Sequence, residues 1–576
     1  MTQPAAETAP SRSAHLILGL AVALSAVPLI LLGRTEGLGY DALWHVFIAR
    51  QDDPRILWDE VQWTAHPPLF FLCVKAAVAL FGTGPLAYRL IPIAGTIAST
   101  WLVGRIVHKA TGRRWLPAAA ALAFGASLTV VTIGLDVRSY SLATALMLAA
   151  FLALLDLAER GLAGPTRARV VFALAASLGL LTHYGTALFL LSCFAALLAL
   201  AAIDGEFRRR LATAGRRRWR ANLLTFGTPP AVLAGIYAVH ITVWSKRSMP
   251  HLPPFLFEPG REGALAFVWR NTRALFELFL PPLSYGSPAS TRTVAGPGLS
   301  GPAAAVLAVA LLAAVGWLAL RRRRDGGGEI ARRVPPLLLA ILTALIVALA
   351  LLRRYPYGGM LRHQYFLFPL AVIVLALLID AVARRSRRRI GGLAVALLAL
   401  AGLLNAANWL SHLQPTRFRP HPHQVRRLHR WFPAPEAVFV DQFSLILLFM
   451  HYHERPWTFV RRVRGHGPIE VWRVGAGDPP GPDGAGGTGG FYVCRDQGQW
   501  LLDLSWPVTY QRMSRCLDAT RAERLAVFRP QQWETTASWP VARTRELCVE
   551  PARAAGLVPE KVVLHEQDVY ATFTRD

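Results

Sequence analysis

The segment Gly39-Tyr40-Asp41-Ala42-Leu43-Trp44-His45 sets one carboxylate among aromatic rings just after an apolar run. Partial desolvation makes such a carboxylate a better proton acceptor near neutral pH, so Asp41 is a candidate general base. The carboxylates that follow it, Asp52, Asp53, Asp59 and Glu60, fall in a more polar stretch expected to keep them solvated. The competing reading is an interfacial loop whose aromatics anchor a helix end. Candidates for handling an anion come later, in Asp136-Val137-Arg138-Ser139-Tyr140, Arg353-Arg354-Tyr355 and Arg362-His363-Gln364-Tyr365. A guanidinium presents a planar fork that suits an anionic group. Against this stand a local ion pair between Asp136 and Arg138, and headgroup binding by the late arginines. His66 and His183-Tyr184 add polar groups near helix ends, where a histidine often only completes a hydrogen-bond network.

Other chemistry is poorly supported. No lysine follows a glycine, so the chain has no Gly-Lys-Ser/Thr phosphate loop. His421-x-His423 and His451-x-His453-Glu454 lack a His-Glu-x-x-His frame. Neither a metal nor a cofactor is expected.

These residues are positioned by a membrane-spanning framework. Hydrophobic residues make up 53% of the 576, and they gather in long runs with little charge between residues 15 and 411. Net charge is +27, and all but four of the 62 basic residues are arginine. The arginines concentrate in short links, such as Arg208-Arg209-Arg210, Arg216-Arg217-Arg218, Arg321 to Arg324 and Arg384 to Arg389. That is the mark of cytoplasmic loops rather than of a nucleic-acid binder. Five cysteines do not make a disulfide scaffold. Cys73 and Cys193 fall in apolar runs, whereas Cys494, Cys516 and Cys548 lie in the polar C-terminal third and allow one bridge.

Eleven runs have spanning length: Leu16–Gly33, Tyr88–Val107, Trp115–Gly134, Tyr140–Leu157, Ala168–Thr182, Gly185–Ile203, Leu223–Trp244, Pro302–Leu320, Val334–Leu352, Tyr365–Ala383 and Ile390–Leu410. With residues 1–14 and the arginine-rich links inside, residues 34–87 form a first external loop. Pro67–Phe81 then cannot cross and is expected to lie on the membrane surface with Lys75 reaching the headgroups. The exterior also receives Leu135–Ser139, His183–Tyr184, Ser245–Gly301, Arg353–Gln364 and residues 412–576. The last stretch is predicted to be a soluble α/β domain. Its strands are Ala437–Val440, Ile469–Trp472, Phe491–Val493 and Leu525–Phe528, its helices His423–Phe432 and Val541–Ala555, with a Gly- and Pro-rich loop at Gly475–Gly490.

In their order and spacing, Asp41-x-x-Trp44-His45, His66-Pro67-Pro68-Leu69-Phe70-Phe71, Phe81-Gly82 with Tyr88-Arg89-Leu90, Asp136-Val137-Arg138-Ser139-Tyr140-Ser141-Leu142 and Thr182-His183-Tyr184 resemble the membrane glycosyltransferases of family 39. That group includes dolichyl-phosphate-mannose protein mannosyltransferases and bacterial lipid A aminoarabinose transferases. The resemblance covers roughly residues 15–411. It implies an all-α polytopic bundle of the C-type glycosyltransferase fold, with about eleven transmembrane helices in the mannosyltransferase branch. It also implies transfer of a sugar from a polyprenyl phosphate to an acceptor hydroxyl on a cell-envelope glycan, lipid or protein, outside the cell membrane. Carried over by position, Asp41 would be the base, Arg138 and Arg362 with Arg353 and Arg354 would meet the donor phosphate, and His66, Asp136, Tyr140, His183, Tyr184 and His363 would contact substrate. Ala42 stands where the family usually has a glutamate after the aspartate. A noncatalytic relative acting through its external domain is therefore one alternative. A transporter or flippase of lipid-linked oligosaccharides is another, though the ionisable mid-helix residues and repeated halves it calls for are not seen.

Overall fold

The computed structural model describes residues 12–35, 38–162, 164–247, 256–279, 316–317, 329–358, 361–385, 388–411 and, further on, 425–426, 428, 430, 432, 436–453, 457–466, 469–476, 490–496, 507–529, 552–565 and 568–575. They fall into two compact units, Met1–Glu36 with Leu57–Thr416, and Gly37–Ile56 with Arg417–Asp576. The second unit takes in Gly37–Ile56, part of the stretch expected to form the first external loop.

In chain order the first helices are α1 (Arg12–Thr35), α2 (Tyr40–Ala49), α3 (Pro54–Val61), α4 (Leu69–Phe81), α5 (Pro85–Thr111), α6 (Leu116–Gly125), α7 (Leu128–Leu135) and α8 (Tyr140–Glu159). There follow α9 (Thr166–Leu180), α10 (Gly185–Ile203), α11 (Gly205–Arg217), α12 (Trp219–Ile236), a π-helical turn (Tyr237–Ile241), α13 (Thr242–Arg247), α14 (Ala264–Phe279), α15 (Glu329–Leu351), α16 (Leu361–Gln364), α17 (Leu367–Arg385) and α18 (Arg388–Ser411). Among the described residues seven helices are long and apolar enough to cross a membrane, or eight if the bent pair α6–α7 counts as one. The all-α bundle expected from the runs is present, and the runs that differ do so for local reasons. Trp115–Gly134 is bent by 58° because Ser127 leaves the helix with extended backbone and caps α7, accepting from the Val130 N–H. Ala168–Thr182 yields a helix of 15 residues, about 22 Å long at ~1.5 Å per residue. Apart from Gly316 and Trp317, Pro302–Leu320 lies outside the described residues.

Close packing inside the bundle depends on small residues. A Cβ at Gly95 would come within 2.6 Å of the Leu142 backbone, so α5 and α8 cross there nearly backbone to backbone. The hydroxyls of Thr96, Ser99 and Thr100 bond back to carbonyls one turn earlier, which keeps α5 free of unsatisfied polar atoms at this crossing. One end of the bundle is tied by ion pairs: Lys109 with Asp156 at 2.7 Å, Arg113 and Arg384 with Asp380 at 2.8 Å, and Arg333 with Asp204 at 2.6 Å. These pairs use part of the arginine-rich sequence, and Arg333 with Asp204 is nearly buried. Removing one partner of such a pair typically costs about 3–5 kcal/mol because the other charge is stranded.

The second unit is the expected α/β domain. Its elements are β1 (Ala437–Val440), α19 (Gln442–His453), β2 (Trp457–His466), β3 (Ile469–Ala476), β4 (Phe491–Asp496), α20 (Pro507–Thr520), β5 (Arg524–Arg529), β6 (Leu557–His565) and β7 (Asp568–Arg575). The sheet order is β2-β3-β4-β1-β5-β7-β6. β4, β1 and β5 are parallel, and antiparallel strands complete both edges. The wholly buried Ala437-Val438-Phe439-Val440 reads as one continuous apolar run because a central parallel strand is covered on both faces. Asp441 ends β1 and caps α19, accepting from the Ser444 N–H and hydroxyl at 2.7 and 2.6 Å. The disulfide that the sequence left open joins Cys494 of β4 to Cys516 of α20, and Cys548 lies outside the described residues. So do half of His423–Phe432, most of Val541–Ala555 and nearly all of Gly475–Gly490.

Candidate active site

At the bundle end away from the ion pairs, three chain reversals meet. The first carries His66, where Thr64 Oγ1 donates to the Val61 and His66 carbonyls and pins the turn ahead of Pro67-Pro68. The second is the α7–α8 corner, Asp136 to Tyr140, with a backbone bond from the Arg138 N–H to the Asp136 carbonyl at 2.7 Å. The third is the α9–α10 corner with His183 and Tyr184. Ser139 Oγ lies 3.0 Å from His66 Nδ1, and the rings of His66, Tyr140 and His183 stand 5.2–5.6 Å apart. Arg138, only 6% exposed, reaches Tyr140 Oη at 3.2 Å and Asp136 Oδ2 at 3.6 Å, and its guanidinium lies over the Tyr140 ring. Five of the sequence candidates are thus brought together: His66, Asp136, Arg138, Tyr140 and His183.

His183 is held neutral. Its Nδ1 accepts the Gly185 N–H at 2.9 Å, so a proton on the ring belongs on Nε2. Burial of the ring, and then the nearby Arg138 guanidinium, bring its pKa down to about 4. An unfolded histidine has a pKa of ~6.5. Below that pH the unfolded chain takes up a proton that the fold refuses, so the full stability holds above ~6.5 and is lost as pH falls toward 4. His183→Gln is therefore expected to narrow the drop in thermal midpoint between about pH 7.5 and 5. An unchanged drop would show that His183 titrates normally in the fold.

Tyr184 turns the other way. Its hydroxyl bonds His240 Nδ1, while His240 Nε2 donates to the Val61 carbonyl at 3.0 Å. His240 sits in the π-helical turn, a feature frequent at functional sites. It was missed in the sequence because one histidine in an apolar run gives no periodic signal, and Ser139 was missed because its partner is 73 residues away.

The late loop is seated by α14, whose buried Phe267, Asn271 and Leu275 recur every fourth residue. Thr272 Oγ1 meets Tyr357 Oη at 2.7 Å. Gly358, at φ +74°, lies so near Asn271 that a Cβ there would come within 2.5 Å. Tyr355, donating to the His363 carbonyl at 2.9 Å, has its pKa raised by burial and then by Tyr140, which brings this loop to the cluster. Arg353 and Arg354 are exposed at the end of α15, with Arg353 in a left-handed turn at φ +60°. Arg362 and His363 are half-buried in α16.

Asp41 belongs to the other compact unit. It stands half-buried in the first turn of α2, and its carbonyl accepts from His45 Nδ1 at 2.7 Å. Of the carboxylates expected to stay solvated, Asp52 and Asp53 are exposed, but Glu60 is 1% exposed. The correction follows from α3, which turns Leu57, Glu60 and Val61 inward as one helical face.

No family model and no curated protein matches the chain. Among solved structures it is similar to ArnT from Cupriavidus metallidurans in the apo state, over 76% of this chain and 84% of that one, at 16% identity and a TM-score of 0.40. The same coverage holds for that ArnT bound to undecaprenyl phosphate, at 18% identity and a TM-score of 0.36. The arabinosyltransferase EmbB from Mycobacterium smegmatis aligns over 82% of this chain and 47% of its own, at 13% identity and a TM-score of 0.34.

Proposed function

We propose that the chain is a C-type membrane glycosyltransferase that moves a sugar from a polyprenyl phosphate to an acceptor hydroxyl on the outer face of the cell membrane. The observation that supports this most is the convergence of buried Arg138 with His66, Tyr140 and neutral His183 at one end of the bundle. Arg138 is buried, with the Asp136 carboxylate at 3.6 Å, and a guanidinium presents a planar fork that suits a phosphate. A neutral histidine beside it adds a hydrogen-bond donor without a second positive charge to repel it. In the reaction, Asp41 takes the proton from the acceptor hydroxyl, and that oxygen bonds the anomeric carbon. The carbon–oxygen bond to phosphate breaks with inversion, and the polyprenyl phosphate leaves with its electron pair, held by Arg138 and by Arg362 of the late loop. The test is transfer of a labelled sugar from an undecaprenyl-phosphate donor by the purified chain. Failure with every pentose and hexose donor refutes the proposal.

In this reading the ion-paired, arginine-rich bundle end faces the cytoplasm, and the Cys494–Cys516 bridge in the second unit suits an oxidising exterior. Helix α4, with 13 residues, lies along the outer surface. With Cys73, Cys193 and Cys548 replaced by serine, an impermeant thiol reagent added outside is expected to label Thr83→Cys and to spare Arg114→Cys. The opposite pattern means that α4 crosses.

A further inference from the structure

We infer that the C-terminal α/β unit is the seat of the helix that carries Asp41, with Phe449 and Trp472 as its positioning residues. The inference rests on the base role proposed for Asp41 and extends it to a part of the chain for which the family resemblance offers no task. Helix α2 has ten residues. Helices shorter than about 12–15 residues are marginal in water alone, so the order of α2 has to come from what it packs against. Ala42, Leu43, Val46, Phe47, Ile48 and Ala49 are each at most 2% exposed, and the segment belongs to the same compact unit as residues 417–576. The contacts identify the seat. The Phe47 ring meets Phe449 of α19 edge-on at 4.9 Å and Trp472 of β3 at 6.0 Å, both deep in the domain. Such ring pairs add directional preference to apolar burial, and so set the rotation of α2 as well as its attachment. The bond from His45 to the Asp41 carbonyl then ties the first turn, with its carboxylate, to the fixed body of the helix. A base has to stand within hydrogen-bond reach of the proton it removes, so an error in the seat is an error at the carboxylate.

The test compares the full chain with Phe449→Ala and Phe449→Leu in nanodiscs, using whichever undecaprenyl-phosphate sugar the wild type turns over. For Phe449→Ala, amide exchange over Leu43–Ala49 is expected to quicken at least about tenfold while α8 and α10 stay protected. At saturating donor, turnover is expected to fall about tenfold with donor KM unchanged, which a general loss of folding would not produce. Phe449→Leu should recover most of both. Unchanged exchange, or quickened exchange with unchanged turnover, overturns the inference. If Phe449→Ala fails to reach the membrane, Phe47→Ala removes the same contacts from the helix's own side, and unchanged exchange over Leu43–Ala49 there overturns it equally. Asp41→Asn measured alongside separates the two readings. An active Asp41→Asn chain brings down the base assignment, whereas an inactive one beside an unaffected Phe449→Ala chain brings down this inference alone.

Discussion

Asp41→Asn is expected to abolish sugar transfer while the protein still accumulates, folds and binds undecaprenyl phosphate. An acceptor hydroxyl is a poor nucleophile until its proton leaves, and a carboxylate within reach supplies typically ~10²–10⁴ in rate. The asparagine keeps the shape of the side chain and removes its basicity. Asp41 is half-buried and near the start of α2, so the exchange leaves the packing residues Leu43, Val46 and Phe47 untouched. Initial rates at saturating donor, with thermal melting as the folding control, decide the matter. Retention of more than about a tenth of wild-type turnover lies outside even the low end of that range and excludes Asp41 as the base. Asp136, at the α7–α8 corner, would be the next candidate.

Arg138→Gln is expected to weaken undecaprenyl phosphate binding by roughly tenfold to a hundredfold, since a charge-assisted hydrogen bond contributes about 1.5–3 kcal/mol. The side chain is 6% exposed and sits over Tyr140, so glutamine also leaves Asp136 without its nearby guanidinium. Binding therefore has to be compared at equal folded fraction. Arg353→Gln is the contrast: Arg353 is exposed at a helix end, and a surface charge removed from water-filled space costs little. Titration of purified protein with undecaprenyl phosphate checks both. Unchanged affinity in Arg138→Gln removes the phosphate assignment.

Local signals foretold much of this molecule, and nonlocal ones little. The apolar run Gly185–Ile203 became a helix with the same bounds, because length and hydrophobicity alone specify a spanning helix. β1 was read correctly from four apolar residues in a row. The break at Ser127 was hidden because one polar residue in an apolar run does not announce whether it caps a new helix. Helix α14 was passed over inside a long external stretch, although its buried positions keep helical spacing. The edge strand β6 was obscured by Pro559 and by a register shift beside it. The site followed the same division. His66, Arg138, Tyr140 and His183 were found as separate short motifs, but their meeting depends on contacts between residues far apart in the chain, as for Ser139 and His66, 73 positions apart. The packing of α2 with the C-terminal domain spans about four hundred residues, and no periodicity along the chain encodes it.

The most direct measurement is sugar transfer by the purified chain in nanodiscs, supplied with undecaprenyl-phosphate sugars labelled in the sugar and with an extract of cell-envelope acceptors. The account predicts that for one donor the label moves to an acceptor, that free undecaprenyl phosphate appears in equal amount, and that no nucleotide is needed. Label that stays on the lipid with every donor, or that moves only when a nucleotide sugar is added, would contradict it.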